Sequence, residues 1–463
     1  MNVSQETKEK YFSSNVDKEL LVYFPDLVLE VDMEHIVYET MSLKESILES
    51  NSIEFVGCIA SEFSVTLYGV TDDLKGERIR VSLRVGNTEA IPIFYGVVDS
   101  VEMEANHNRR KITAYDLLYT IGNIEVADWY NTLPFPSGGI TLGALRNSLF
   151  DYINEQIPIS MQVPQVQTTL PCDGLLIQKH YNPSTLQSIN VIKAICQING
   201  VFGIINRNGA FEYRVLTATG TVDGTFPSDT LYPSSDLYPG VINTGDKPSQ
   251  NVPYYRGVDY QEFLVKPINA LTIRQTDEEE GYTYDPDNLG KEANRYIIQG
   301  NMFTYKLPKK TLQLIATSIF LNVSGFSYQP FESESDGMPW IECGLDNISC
   351  YVYDWENDEY VRKTFSVFSR NMTGIQALKD TYVADGEQDQ KQFISDIKSQ
   401  IDIINQKTEE VEVDLSDYYN KTEINEMLEG IESSGWSVES VSSLPAQGEE
   451  NVLYLIQGEV VVN

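Results

Sequence analysis

The sequence predicts a mainly β protein with an α/β insert, followed by a trimeric coiled coil. Three observations carry this. Short runs that alternate apolar and polar residues recur between Gly- and Asp-rich turns over residues 20–126, and β character resumes over residues 254–383. Between these two regions helical spacing replaces the alternation. Further on, apolar residues step by 3, 4, 3, 4, 3, 4 through Ile394, Ile397, Ile401, Ile404, Thr408, Val411 and Leu415.

The first β region covers residues 1–126. Its strand candidates are 20–23, 63–68, 78–83, 91–100 and 111–116, and their near-regular spacing predicts a small barrel or sandwich. Residues 127–250 form the α/β insert and a linker. Thr141 caps a helix whose inner residues are Leu142, Leu145, Leu149 and Ile153. A second helix is expected from Ser184, with Ser184 and Gln187 as a capping box. Leu186, Ile189, Ile192 and Cys196 make its inner stripe and Gly200 stops it. Asn208-Gly209 then predicts a two-residue hairpin turn, because this pair tolerates positive φ. Residues 226–250 are rich in Pro, Gly, Ser and Asp and read as a linker.

The second β region covers 251–384, with strand candidates at 270–273 and 348–353. It holds one helix, which starts at Pro308, buries Leu312, Ile315 and Ile319, and ends at Gly325. The coiled-coil stalk is placed at 385–432. Only Thr408 interrupts its seam, and Ile at both a and d positions favours trimers or tetramers over dimers. With 14 acids and 4 bases, this stretch carries a net charge of −10, so burial of the seam must hold the helix. The alternative is an amphipathic helix lying on its own domain; the 3.5-residue period favours the coil. Asn420 and Glu423 predict the start of a short helix. Residues 433–463 form a short β module, in which 451–456 and 459–462 flank Gln457-Gly458 as a hairpin. A lone hairpin is marginal, so it is expected to pair with partner chains or another protein.

Composition narrows the function. Lys and Arg total 33 against 68 Asp and Glu, for a net charge of −35. Such a chain is a poor candidate for gripping nucleic acid. The 28 Tyr, 18 Phe and 4 Trp favour β structure and protein–protein surfaces. The first fifteen residues show no apolar core after a basic start, and no run approaches 18 apolar residues. Neither a secretory signal nor a membrane span is expected. Cys58, Cys172, Cys196, Cys343 and Cys350 are odd in number and scattered, which favours reduced core thiols and synthesis in a reducing cytoplasm.

No catalytic, metal or cofactor motif emerges. His35, His107 and His180 lack the spacing of a zinc helix, and Cys343 and Cys350 lack that of a zinc knuckle. No phosphate-binding Gly-rich loop and no Gly-x-Ser-x-Gly elbow occurs. Asp277, Glu278, Glu279 and Glu280, with Asp285 and Asp287, lack the Gly and terminal Glu of a calcium loop and read as a solvated hairpin tip. Paired carboxylates cannot be picked out among so many acids. Trp129, Trp340, Trp355 and Trp436 could stack on sugars, but core or interface packing is the commoner role.

The order of these parts resembles the tail-hub proteins of bacteriophages: the baseplate hub of contractile tails and the N-terminal part of siphophage tail-associated lysins (prophage tail proteins). The residues that carry the resemblance are 94–100 with 112–119, the region from Ser184 to Val215, then 296–301, 337–342 and 373–378. Residues 418–428, Leu444-Pro445 and 451–455 resemble tail-fibre modules of phages that infect Gram-positive hosts. The resemblance implies two β-barrel tube domains per chain and a homotrimer forming a pseudo-sixfold ring. It implies partners in the distal tail protein or tail tube protein, and in a downstream fibre, spike or receptor-binding protein, with a tape measure protein also possible. The place is the virion tail tip, the role a structural conduit for DNA, and no enzyme or cofactor is implied. Lysins of this kind carry a lytic domain after the hub. Only about 30 residues follow Glu432 here, so lysis is expected to fall to another protein. The alternatives are a tail-tip cell-wall hydrolase or depolymerase, and a receptor-binding fibre.

Overall fold

The alternating runs fold as strands with one face buried. The structure is a computed structural model. It describes residues 3–13, 16–47, 57–103, 108–135, 139–180, 182–216, 250–251, 255–274, 281–324, 327–355, 357–384, 386, 392–396, 437–441 and 452–456. A short helix α1 (Gln5–Tyr11), capped by Ser4, precedes strands β1 (Lys18–Phe24), β2 (Leu29–Val31), β3 (Ser42–Ser46), β4 (Glu62–Tyr68), β5 (Arg78–Val85), β6 (Ile91–Met103) and β7 (Arg109–Asp116). In β5, Ile79, Val81, Leu83 and Val85 are buried and the residues between them face outward, as a period of two requires.

Helices follow where the spacing changes. They are α2 (Leu117–Gly122), α3 (Ala127–Thr132), α4 (Leu142–Gln156) and α5 (Ser188–Gln197). Thr141 caps α4 as expected: its hydroxyl accepts the Ala144 N–H at 3.3 Å. Leu142, Leu145, Leu149 and Ile153 are all buried. Two minimal strands, β8 (Ile140–Thr141) and β9 (Leu176–Ile177), pair beside it. The hairpin of β10 (Phe202–Ile205) and β11 (Phe211–Arg214) completes this region.

The second half supplies β12 (Gln250–Asn251), β13 (Tyr255–Tyr260), β14 (Ala270–Arg274), β15 (Tyr282–Tyr284), β16 (Arg295–Gln299), α6 (Lys309–Val323), β17 (Phe331–Ser335), β18 (Asn347–Asp354), β19 (Glu359–Ser366), β20 (Ser369–Thr373), β21 (Lys379–Ala384) and β22 (Gln392–Asp396). Pro308 precedes α6, and Leu312, Ile315 and Ile319 are its buried residues, as the spacing predicts. The helix packs on β14 and β15.

The two β regions do not close into separate barrels. Strands from both regions join in one eleven-stranded sheet of order β13-β17-β21-β20-β3-β4-β7-β6-β5-β1-β2. No closed barrel occurs among the described residues. The junction is β3 against β20, antiparallel, with Leu43 opposite Met372 and Glu45 opposite Arg370. Alternation tells which face of a strand is buried, but it does not name the strand's partner, and here the partner lies more than three hundred residues away. Other strands form smaller sheets, β15-β14-β16-β22 and β12-β18-β19. Residues 1–404 and 405–463 form two separate compact units. The second contributes β23 (Ser437–Val441) and β24 (Val452–Ile456), paired in parallel.

Three local expectations are corrected. Helix α5 begins at Ser188, so Ser184 and Gln187 form no capping box. Glu125 is the reason. Its carboxylate accepts the Leu186 N–H at 2.5 Å, and a bridge joins Glu125 to Gln187, which holds the segment extended until Ser188. The β10–β11 hairpin exists, but its loop spans 206–210 rather than two residues. The Asn206 side chain accepts the N–H groups of Asn208 and Ala210, both at 3.1 Å, and rounds the loop out. Ile394 lies on strand β22, opposite Ile297 of β16, and not on a helix. Its β-branched side chain suits a strand beside β16. The remaining seam residues, Ile397, Ile401, Ile404, Thr408, Val411 and Leu415, lie outside the described residues. So do the helix expected after Asn420 and the linker from 226 to 249. The hairpin partner expected for 451–456, residues 459–462, also lies outside the described residues; 452–456 pairs in parallel with 437–441.

Candidate functional site

The chemistry-bearing side chains converge where β3 meets β20. Arg370 points inward from β20, next to Met372, and Asp380 points inward from β21, next to Tyr382 and Ala384. Both side chains have zero exposure. They form an ion pair, with the Arg370 Nε also donating to Asp380 Oδ1 at 3.3 Å. Glu45 Oε2 lies 3.4 Å from Arg370 and 3.4 Å from Arg207. Arg207, on the β10–β11 loop, donates to the Pro339 carbonyl and, at 2.6 Å, to the Ile341 carbonyl. Arg214, on β11, holds Glu342 at 2.9 Å and Glu212 at 2.9 Å.

Three segments remote in sequence therefore share one buried ionic cluster: β3, the insert hairpin, and the 337–342 loop with β20 and β21. Burial alone would raise the Glu342 carboxyl. Arg207 and Arg214 outweigh it and hold the group at about 2. Burial likewise disfavours the Arg370 cation, and Asp380 more than restores it.

A second clamp lies alongside. Glu39 accepts three consecutive N–H groups, from Ile375 at 2.9 Å, Gln376 at 3.0 Å and Ala377 at 3.4 Å. Gln376 in turn accepts the Lys18 N–H at 2.8 Å and donates to the Val16 carbonyl at 2.9 Å. Tyr11 donates to the Asp336 carbonyl at 3.2 Å and sets its ring edge-on to Trp340, with centroids 5.2 Å apart. The stretches 337–342 and 373–378, on which part of the family resemblance rests, are thus the loops that bind the second half to the first.

The remaining candidates are dispersed. His35 contacts Asp32 at 2.8 Å on the surface, and His107 lies outside the described residues. His180 lines a cavity of 600 Å³ with Lys306, Cys172 and residues of α6, and among the described residues no carboxylate lines it. Trp129 and Trp340 are core residues, and Trp129 donates to Ser148 at 3.1 Å. Trp355 is 87% exposed beside Tyr353, at the turn between β18 and β19. Trp436 lies outside the described residues. The Asp285 carboxylate accepts the N–H groups of Leu289 and Gly290, while Asp277 to Glu280 lie outside the described residues. All five cysteines are buried with free thiols. Among the described residues, no group of three His, Cys, Asp or Glu side chains could hold a metal ion, and no helix is long and apolar enough to cross a membrane.

Sequence reading missed the ionic cluster, although a signal existed. Arg370 and Asp380 occupy inward positions of alternating strands, where charged residues are rare unless paired.

Fold and junction together define a β scaffold assembled from distant segments, with its charged core committed to holding them. No family model and no curated protein matches the chain. Solved structures are similar to it. A tail protein from Neisseria meningitidis MC58 is 10% identical, covering 81% of this chain and 99% of that one, with a TM-score of 0.43. The 43 kDa tail protein of prophage MuSo2 from Shewanella oneidensis is 11% identical, covering 79% and 97%, with a TM-score of 0.43. The prophage tail protein gp18 from Listeria monocytogenes EGD-e is 10% identical, covering 84% and 98%, with a TM-score of 0.43. These are likenesses at low identity.

Proposed function

We propose that this chain is a structural hub subunit of a phage tail or tail-like particle, working as a homotrimer. In this reading it joins the tail tube or distal tail protein to the tail tip and carries a fibre, spike or receptor-binding protein beyond it. DNA passes through the ring, and a tape measure protein occupies the bore beforehand.

The observation that carries the reading is the fusion of two β blocks across β3 and β20 into one sheet whose edge strands, among the described residues, are β2 and β13. Open edges are templates for pairing with another chain. Two different edges on one subunit suit a head-to-tail contact, which closes into a ring when the rotation permits. The buried clamps at the β3–β20 junction stiffen each subunit into a wall segment. The net charge of −35 suits a surface that DNA slides past rather than sticks to.

Light scattering on the purified full chain tests this. The expected mass is about three times 52.3 kDa, and electron microscopy of the same sample is expected to show rings. A stable monomer at concentrations where tails assemble would overturn the hub reading.

A further inference from the structure

We propose that Cys58 and Cys196 are a redox-active pair that a low-molecular-weight disulfide converts into an intramolecular disulfide. Their sulfurs lie 3.6 Å apart although the residues are 138 positions apart in the chain. Reaching the ~2.05 Å of a disulfide needs each sulfur to move by less than about 1 Å. Both backbones are held. Gly57 accepts the Gly203 N–H at 3.0 Å, and Cys196 lies within α5. Gly203 also makes the room: a Cβ there would stand 3.1 Å from the Cys58 sulfur. The Cys172 and Cys343 thiols instead meet the carbonyls of Ile198 and Glu45, so neither is aimed at another sulfur.

The two thiols are not equivalent. Cys58 lines a cavity of 460 Å³ together with Ile59, Ala60, Leu118 and Tyr119, and Cys196 does not. A small disulfide therefore meets Cys58 first. The Cys58 thiolate attacks one sulfur of the reagent, forming a mixed disulfide and expelling one thiolate. The Cys196 thiolate then attacks the Cys58 sulfur and expels the second. The protein dithiol is oxidised, the reagent is reduced to two thiols, and the two protein protons end on them. Burial holds the Cys196 thiol well above the ordinary thiol range, against the pull of Arg146 and Lys193, so the second step is slow at neutral pH. The pair stands independently of the tail reading.

The test treats the folded full chain with 2-hydroxyethyl disulfide and maps peptides without reduction. The wild type is expected to lose about 2 Da, to yield a Cys58–Cys196 cross-linked peptide, and to gain about 5 °C in Tm. Cys196→Ser is expected to stop at the reagent adduct on Cys58. The proposal is overturned if the wild type also stops at that adduct, or if bridges form through other cysteines. It is equally overturned if both thiols stay reduced while urea-unfolded chain is modified.

Discussion

Arg370 has no water to fall back on. Its charge is tolerated because Asp380 and Glu45 face it, and removing one partner leaves an uncompensated charge in the core. Arg370→Met is expected to cost ~3–5 kcal/mol, and Asp380→Leu a similar amount. The double variant should recover much of the loss, because both charges are then gone. A double-mutant cycle by urea denaturation checks this; strictly additive losses would show that the two do not act as a pair. Glu342 makes a pH prediction. Its carboxyl sits at about 2 in the fold against an ordinary 4.5. A depressed value means that its stabilisation is full above 4.5 and is lost as pH falls through about 2, worth ~3 kcal/mol in total. Asp116 acts in the opposite sense. Burial pushes its carboxyl from 3.8 up to about 7, against the pull of the Ser61 and Leu118 N–H groups at 2.7 and 2.9 Å. Its contribution is therefore full below 3.8 and lost as pH rises through about 7. Melting profiles across pH are expected to show Glu342→Gln less sensitive to acid than the wild type.

At the scale of elements, the 373–378 turn depends on Gly374. Its φ is +80°, and a Cβ there would stand 2.4 Å from the Glu39 carboxylate that gathers the turn's N–H groups. Gly374→Ala is expected to destabilise by ~1–3 kcal/mol and to loosen the N-terminal strands, read as faster amide exchange in β1 and β3. Thr141→Ala, remote from that turn, should cost ~1 kcal/mol with no such change. Both helix faces and most strands of these elements were legible in the residues. Leu145, Leu149 and Ile153 repeat at helical spacing and are buried, and the 78–83 alternation became β5. The start of α5 was not legible, because Glu125, remote in sequence, holds the preceding residues extended. Ile394 fitted a heptad by spacing, yet the neighbouring strand β16 decided its conformation.

For the whole molecule, charge sets the terms of the proposed assembly. Each chain carries −35, and three copies carry −105. Salt screens this repulsion, so the proposed trimer should tighten as ionic strength rises. Sedimentation at low and high salt checks it; a trimer weakened by salt would mean that opposite charges hold the interface. The junction clusters are buried and screened little, so monomer folding should respond to salt far less than assembly does.

The residue order by itself determined which faces are apolar, where α4 and α6 lie, that the chain is mainly β, and how acidic it is. All of these are local periodicities or sums over composition. Only the tertiary structure decided that β3 pairs with β20, that Arg370 buries its charge against Asp380, and that Cys58 meets Cys196. A strand's alternation fixes its inner face and leaves its neighbour open. The neighbour is chosen by burial and pairing across hundreds of residues, where no period in the sequence reaches.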